Sequence, residues 1–271
     1  MSGQTNEGPI VPIADPQAPH DDLTFEELGA RYNYMMTSDR ARVFVRLLLK
    51  ELSNREHPVR ALDIGCGEGI SESKKNQVEY LRVVRAHVDE LWAIEPDPNV
   101  NPSHGLLDVL QHSTMETAKL PENAFDVVYS YFVMEHVPDP TVFLQAAYRC
   151  LKPGGVYLFM TPNARHYFTM IARTLKAMWL DELVLRAVTR GASEDYHYPV
   201  MYRCNSQRRL SKYGARAGFE RVDFAYLETR GPRCYFPRPL LFVHDLLAMK
   251  RRWIRSPGCL LELLCRMKKG G

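Results

Sequence analysis

Two places in the 271-residue chain gather residue types that do chemistry. At 125–140 the string FDVVYSYFVMEHVPDP holds an acid and an imidazole side by side, Glu135 and His136. Histidine is the side chain that titrates near neutrality. The pair therefore reads as a base with its companion, as two metal ligands, or as the polar start of the next helix. At 61–69 the string ALDIGCGEG sets Asp63 just ahead of Gly65, Cys66, Gly67, Glu68 and Gly69. Glycines let a backbone approach a ligand closely, and an acid closing the following strand accepts the hydroxyls of a ribose. Glu95, in AIEPDP, is that acid. The loop spacing is GxGxG, not the GxGxxG of a dinucleotide fingerprint, and Glu95 comes later than the roughly 20-residue interval of that fingerprint. A pyrophosphate gains nothing from Asp63 and Glu68 beside it, whereas a cationic ligand does.

These residues need elements to carry them, and hydrophobic spacing supplies a set. Residues 61–64 and 91–95 read as buried strands, with three- and four-residue apolar spacing between them (Val78, Leu81, Val84, Val88) marking a helix. Residues 125–130 are a further strand, 141–151 a helix, and Lys152-Pro153-Gly154-Gly155 a turn into a strand at 156–160. Alternating strands and helices of this length predict an α/β fold: an open, mostly parallel sheet with helices on both faces. A helical prelude covers 23–52, one or two helices cover 167–190, and 206–217 is a helix closed by Gly218 before a strand at 219–227.

Residues 61–69, the acid of AIEPDP, METAKLPENAFDVVYS, YFVMEHVPDP and LKPGGVYLFMTPN follow one another in the order of the motifs of class I S-adenosylmethionine-dependent methyltransferases. The chain resembles most the broad group that holds the ubiquinone and menaquinone methyltransferases. TPN at 161–163 and YPVMYRCN at 198–205 resemble strings of a bacterial branch of that superfamily. The resemblance implies a Rossmann-like seven-stranded sheet and S-adenosylmethionine as cofactor, with S-adenosylhomocysteine as product. It implies that Asp63, Gly65, Cys66 and Gly67 line the methionine and ribose, that Glu95 and Pro96 hold the ribose, that Met115 and Glu116 flank the adenine, and that Ser130 and Tyr131 lie near the methionine. Some relatives hold a divalent cation with ExxEH at this place; here Phe132 stands where the first acid would, so no metal is expected. His136 is then the candidate base, with Glu135 its orienting partner or a helix-start charge. Tyr32, Tyr34, Phe132, His166, His197 and Tyr198 are candidate substrate contacts, the last three in a lid insertion at about 164–205.

Charge and composition bound the partners. The six cysteines, at 66, 150, 204, 234, 259 and 265, fit no zinc spacing and read as buried free thiols. Residues 1–22 read as a disordered leader, 23–232 as the methyltransferase domain and 233–271 as a basic amphipathic helical segment. That last segment carries nine basic residues against Asp245 and Glu262, a net +7, so the overall +3 leaves −4 for the rest. Contact with an anionic membrane surface, or homodimerisation, is the expectation for it. No signal sequence and no apolar run of 18 residues is read, which predicts a cytoplasmic protein, peripheral to a membrane at most. Nucleic acid is not expected as a partner, since neither an RNA-binding module nor a DPPY-type tetrad after the fourth strand is present. The substrate expected is a small or lipid-like molecule methylated at oxygen. Carbon or nitrogen methylation of a metabolite or glycan, and a non-catalytic scaffold, stay open as alternatives.

Overall fold

The computed structural model describes residues 24–30, 40–70, 74–100, 105–167, 169–171, 174, 198–227, 242–243, 245–246 and 260–271. Short apolar runs form the strands β1 (Arg60–Ile64), β2 (Glu90–Ile94), β3 (Val109–Gln111), β4 (Phe125–Tyr131), β5 (Leu151–Pro162), β6 (Arg221–Leu227) and β7 (Glu262–Lys268). They make one sheet in the order β3-β2-β1-β4-β5-β7-β6. The first five strands are parallel, and β7 runs antiparallel between β5 and β6. Strand order reverses between β1 and β4, so their carboxyl ends open the crevice where ligands of such sheets sit.

Both faces are covered, as the alternating strands require. On one side α2 (Arg40–Ser53) and α3 (Lys74–Arg85), with α1 (Phe25–Ala30), pack Phe44, Leu48 and Tyr80 against Val127, Tyr129 and Leu158. On the other, α4 (Pro140–Cys150) and α5 (Gln207–Ala217) pack Phe143, Leu144 and Leu210 against Val128, Tyr157 and Phe159. Asp139 caps α4, accepting from the Thr141 amide at 2.8 Å, and Pro140 pre-sets its first turn. Gly218, left-handed at φ 104°, closes α5.

Three expectations change. The segment expected to be a basic helical tail supplies β7, whose Leu263, Leu264, Cys265 and Met267 are fully buried. Its apolar clusters serve the sheet. Of that segment, residues 242–243 and 245–246 are helical. The strand β3 was not read at all from the sequence; its three residues are half-buried and too few to show a period. The turn at 152–155 does not precede β5 but interrupts it, the register slipping between the Phe125–Leu151 and Val127–Val156 pairs. The four described cysteines, Cys66, Cys150, Cys204 and Cys265, are buried free thiols. The leader at 1–22, Tyr32, Tyr34 and His197 lie outside the described residues. Among the described residues no helix is long and apolar enough to cross a membrane.

Candidate functional site

Parallel pairing brings the ends of β1, β2 and β4 together, and with them the two acids of the glycine region. Past β1 the chain turns sharply, the amides of Gly65 and Cys66 donating to the Ile94 carbonyl at 2.8 and 3.2 Å. Gly65 is left-handed at φ 63°, and a Cβ there would stand 2.6 Å from Val133 Cγ2, so no side chain fits. Gly67, at φ 49°, has nothing within 4 Å of where its Cβ would be: the backbone faces open space. Its amide donates to Glu95 Oε2 at 2.9 Å. Glu95 Oε1 accepts from the Asp97 amide at 3.1 Å and from the Tyr198 hydroxyl at 3.2 Å. Glu95 is buried at the carboxyl end of β2 with its carboxylate toward the glycine loop.

Asp63, next to last in β1, pairs with Tyr129 of β4 and is buried. Burial pushes its carboxyl up to about 8; Tyr129 works against that shift and the negative charge of Glu95 adds to it. Asp63 Oδ2 finds no hydrogen-bond partner among the described residues. Burial, with Asp63 and Glu95 beside it, raises the Cys66 thiol far above its ordinary value, so Cys66 is an inert wall. Met115 is buried in the same apolar cluster as Ile64 and Ile94, Glu116 is half-buried beside it, and Pro96 follows Glu95 half-buried.

At the end of β4 the residues part company. Ser130 is buried with its hydroxyl 2.8 Å from that of Tyr157, engaged within the sheet's other face. Tyr131 faces the α2 side, its ring 5.4 Å from Phe44 and 4.6 Å from Phe132. Phe132 is left-handed at φ 57°, a conformation costly for an aromatic residue and found where the surroundings enforce it. Its amide donates to the Met160 carbonyl, and the Arg40 guanidinium stacks 4.5 Å over its ring. Arg40 in turn donates to the buried Glu262 at 2.6 Å. Where an acid would be needed for a metal there is thus an aromatic ring under an arginine, and among the described residues no three His, Cys, Asp or Glu side chains gather into a metal-holding group.

Glu135 does not orient His136, nor does it start α4, a task that falls to Asp139. It is buried, its carboxyl accepting from Thr161 Oγ1 at 3.0 Å and its carbonyl accepting the amides of Met201 and Tyr202 at 2.7 and 3.1 Å. Burial and the nearby Glu262 push it up to about 8, with Arg40 opposing. Neutral at pH 7, it is a tie between β4, β5 and the segment 198–205. Among the described residues the Pro199 carbonyl lies 3.3 Å from His136 Nδ1 and helps to set the ring's orientation. A carbonyl only accepts, so in this contact Nδ1 is the donor. His136 is half-buried and its ring lies 6.2 Å from that of Tyr198.

The segment 198–205 thus crosses the carboxyl ends of β2, β4 and β5. Tyr198 reaches Glu95, Pro199 reaches His136, Met201 and Tyr202 hold Glu135, and Asn205 holds Thr161 and, through its carbonyl, the Ala164 amide. The sequence marked Tyr198 as a substrate contact and held Pro199 only as part of the string YPVMYRCN, since its contribution is a main-chain carbonyl. Tyr129 was also missed, although strand alternation puts it on the face shared with Tyr131. His166, expected at the acceptor, is fully buried; its main chain opens a helical turn through the Met170 amide and its ring packs 4.2 Å from Tyr167.

A family model described as "Methyltransferase domain" matches residues 36–223, more than half of the chain. The ubiquinone biosynthesis O-methyltransferase of Marinobacter nauticus is 33% identical over 142 residues, covering 50% of this chain and 55% of that protein. A probable S-adenosylmethionine-dependent methyltransferase of Mycolicibacterium smegmatis is 33% identical over 102 residues, covering 38% of this chain and 37% of that one. The chain spans about half the length, or less, of these curated relatives. Among solved structures, a methyltransferase dependent on S-adenosylmethionine from Archaeoglobus fulgidus superimposes with a TM-score of 0.51 at 17% identity, covering 84% of this chain and 94% of that one. A Haemonchus contortus phosphoethanolamine N-methyltransferase, bound to S-adenosylhomocysteine, also gives 0.51, at 14% identity, with 84% and 52% covered. At these identities the two structures share the fold.

Proposed function

From the premise that this chain belongs to the methyltransferase family, we propose that it transfers a methyl group from S-adenosylmethionine to a hydroxyl of a small or lipid-like acceptor. The observation that carries the reading is the pair of buried acids on either side of the glycine turn. Glu95 presents its carboxylate beside the open backbone at Gly67, as a ribose requires. Asp63 has a buried Oδ2 with no partner among the described residues, as an ammonium requires. The residues present fit the cofactor on both counts. When bound, S-adenosylmethionine supplies a methyl group activated on a sulfonium.

The chain's own part is to hold, shield and move one proton. Asp63 and Glu95 fix the two polar ends of the cofactor, while Met115 and Cys66 give apolar walls that keep water out. His136 Nε2 takes the proton from the acceptor hydroxyl, with the Pro199 carbonyl holding Nδ1–H and so the ring's orientation. Acceptor class comes from the relatives, which include ubiquinone biosynthesis O-methyltransferases at 31–34% identity.

Transfer of labelled methyl from S-adenosylmethionine to a prenylated catechol tests the reading. Turnover that the His136→Ala variant loses supports it; methylation of an amine in preference to the catechol contradicts the oxygen assignment. A membrane surface as the acceptor's source is supported by Phe242 and Leu246, four residues apart and 67% and 56% exposed, with Lys250, Arg251, Arg252 and Arg255 following in sequence. Sedimentation with phosphatidylserine vesicles should be lost in the double variant Phe242→Glu, Leu246→Glu. Equal sedimentation of the two proteins contradicts membrane contact through these residues.

A further inference from the structure

An ionised carboxylate offers about four lone-pair positions on its two oxygens. Among the described residues three of these are filled in Glu95: Oε2 accepts from Gly67, and Oε1 from Asp97 and from Tyr198. A ribose brings two hydroxyls and finds one position left. One donor must yield for both to bind. The Gly67 and Asp97 donors are main-chain amides fixed by the turns after β1 and β2. Tyr198 is a side chain, 37% exposed, on a different segment.

The position of Tyr198 in that segment gives its release a consequence. From Met201 to Asn205 the segment is pinned by main-chain bonds to Glu135 and Ala164. Its beginning is held to the site by the Tyr198 hydroxyl on Glu95 and the Pro199 carbonyl on His136 Nδ1, adjacent residues on adjacent sites. We propose that the Tyr198 hydroxyl occupies a ribose-hydroxyl position on Glu95, that cofactor binding displaces it, and that the displacement moves the Pro199 carbonyl and so re-orients His136. Tyr198 is in this account a positioning residue that makes the base sense whether the cofactor is present. The inference rests on the methyltransferase reading above. Burial, and then Glu95, push the phenol up to about 12, so it remains a donor at working pH and the exchange is driven by ligand, not by protons.

The test measures S-adenosylhomocysteine affinity by calorimetry in the 271-residue chain and its Tyr198→Phe variant. Removing the competitor should tighten binding about threefold to tenfold, the reach of one partly exposed hydrogen bond to a charge. With the 2′,3′-dideoxy analogue, which makes no demand on Glu95, the two proteins should bind equally. In nuclear magnetic resonance, the ring signals of His136 should shift when S-adenosylhomocysteine is added to the unsubstituted protein. In Tyr198→Phe they should stand near the bound positions before any addition. Equal or weaker binding by the variant, a gain that persists with the dideoxy analogue, or His136 signals indifferent to the substitution would each overturn the proposal. If S-adenosylhomocysteine binds neither protein, it is the methyltransferase reading itself that fails.

Discussion

Titrating the protein with S-adenosylhomocysteine across pH isolates the work of Asp63. In the free protein this carboxyl is buried beside Glu95 and pushed up to about 8, so it is mostly protonated at neutral pH. An ammonium seated on it requires the ionised form and draws the proton off. Binding is then coupled to proton release, and affinity rises with pH until the carboxyl ionises by itself. With a free-state value of about 8, affinity should rise about fiftyfold from pH 6 to pH 8, at 1.36 kcal/mol per unit, with about 0.9 proton released at pH 7. Calorimetry in two buffers of different ionisation enthalpy reads both quantities. Asp63→Asn, an isostere of the protonated acid, should match the unsubstituted protein near pH 6, show no slope, and bind about tenfold to a hundredfold more weakly at pH 8. Glu135 titrates in the same range but faces Thr161, so Glu135→Gln should keep the slope. A flat affinity in the unsubstituted protein, or a slope that survives Asp63→Asn, refutes the placement of Asp63 on the cofactor's cation.

Other outcomes follow from the same geometry. Glu135 has a folded value raised to about 8, so its contribution to stability is complete below the ordinary carboxylate range and is lost as pH rises through about 8. Glu135→Gln should therefore flatten the fall in Tm between pH 5 and 8, which thermal unfolding at several pH values measures. Gly65→Ala combines a left-handed backbone with a Cβ 2.6 Å from Val133 Cγ2; it should cost about 3 kcal/mol, on the order of 10 °C in Tm, with Val133→Ala recovering the steric part only. His136→Ala should lower kcat by about a hundredfold or more without weakening S-adenosylhomocysteine binding, as steady-state kinetics and calorimetry together will reveal. Deleting 260–271 removes a strand from the middle of the sheet, and the truncated chain should lose its cooperative unfolding transition.

Much of this arrangement was legible because the site sits on strands with strong apolar runs. Residues 61–64, 91–94 and 125–131 announce themselves, and strand order then brings Asp63, Gly67 and Glu95 together without further information. What escaped was decided by tertiary context. β7 is written as apolar clusters among basic residues, and nothing local says whether ELLCRMK pairs with β5 and β6 or lies on a surface. Lys269, one of the nine basic residues counted in 233–271, is buried with its ammonium donating to the Tyr148 and Leu151 carbonyls. Glu135 illustrates the limit for the site: adjacency to His136 suggested a catalytic pair, yet neighbours on this turn point to different partners. The carbonyl that does orient the histidine comes from 63 residues away, in a proline that carries no side-chain chemistry.

Equilibrium dialysis with labelled S-adenosylmethionine tests the assignment of the cofactor to the ends of β1 and β2 most directly. One equivalent should bind the 271-residue chain, unlabelled S-adenosylhomocysteine should displace it, excess NAD should not, and Glu95→Ala should lower affinity about a hundredfold while leaving the fold intact. Displacement by NAD, or binding undiminished in Glu95→Ala, would contradict it.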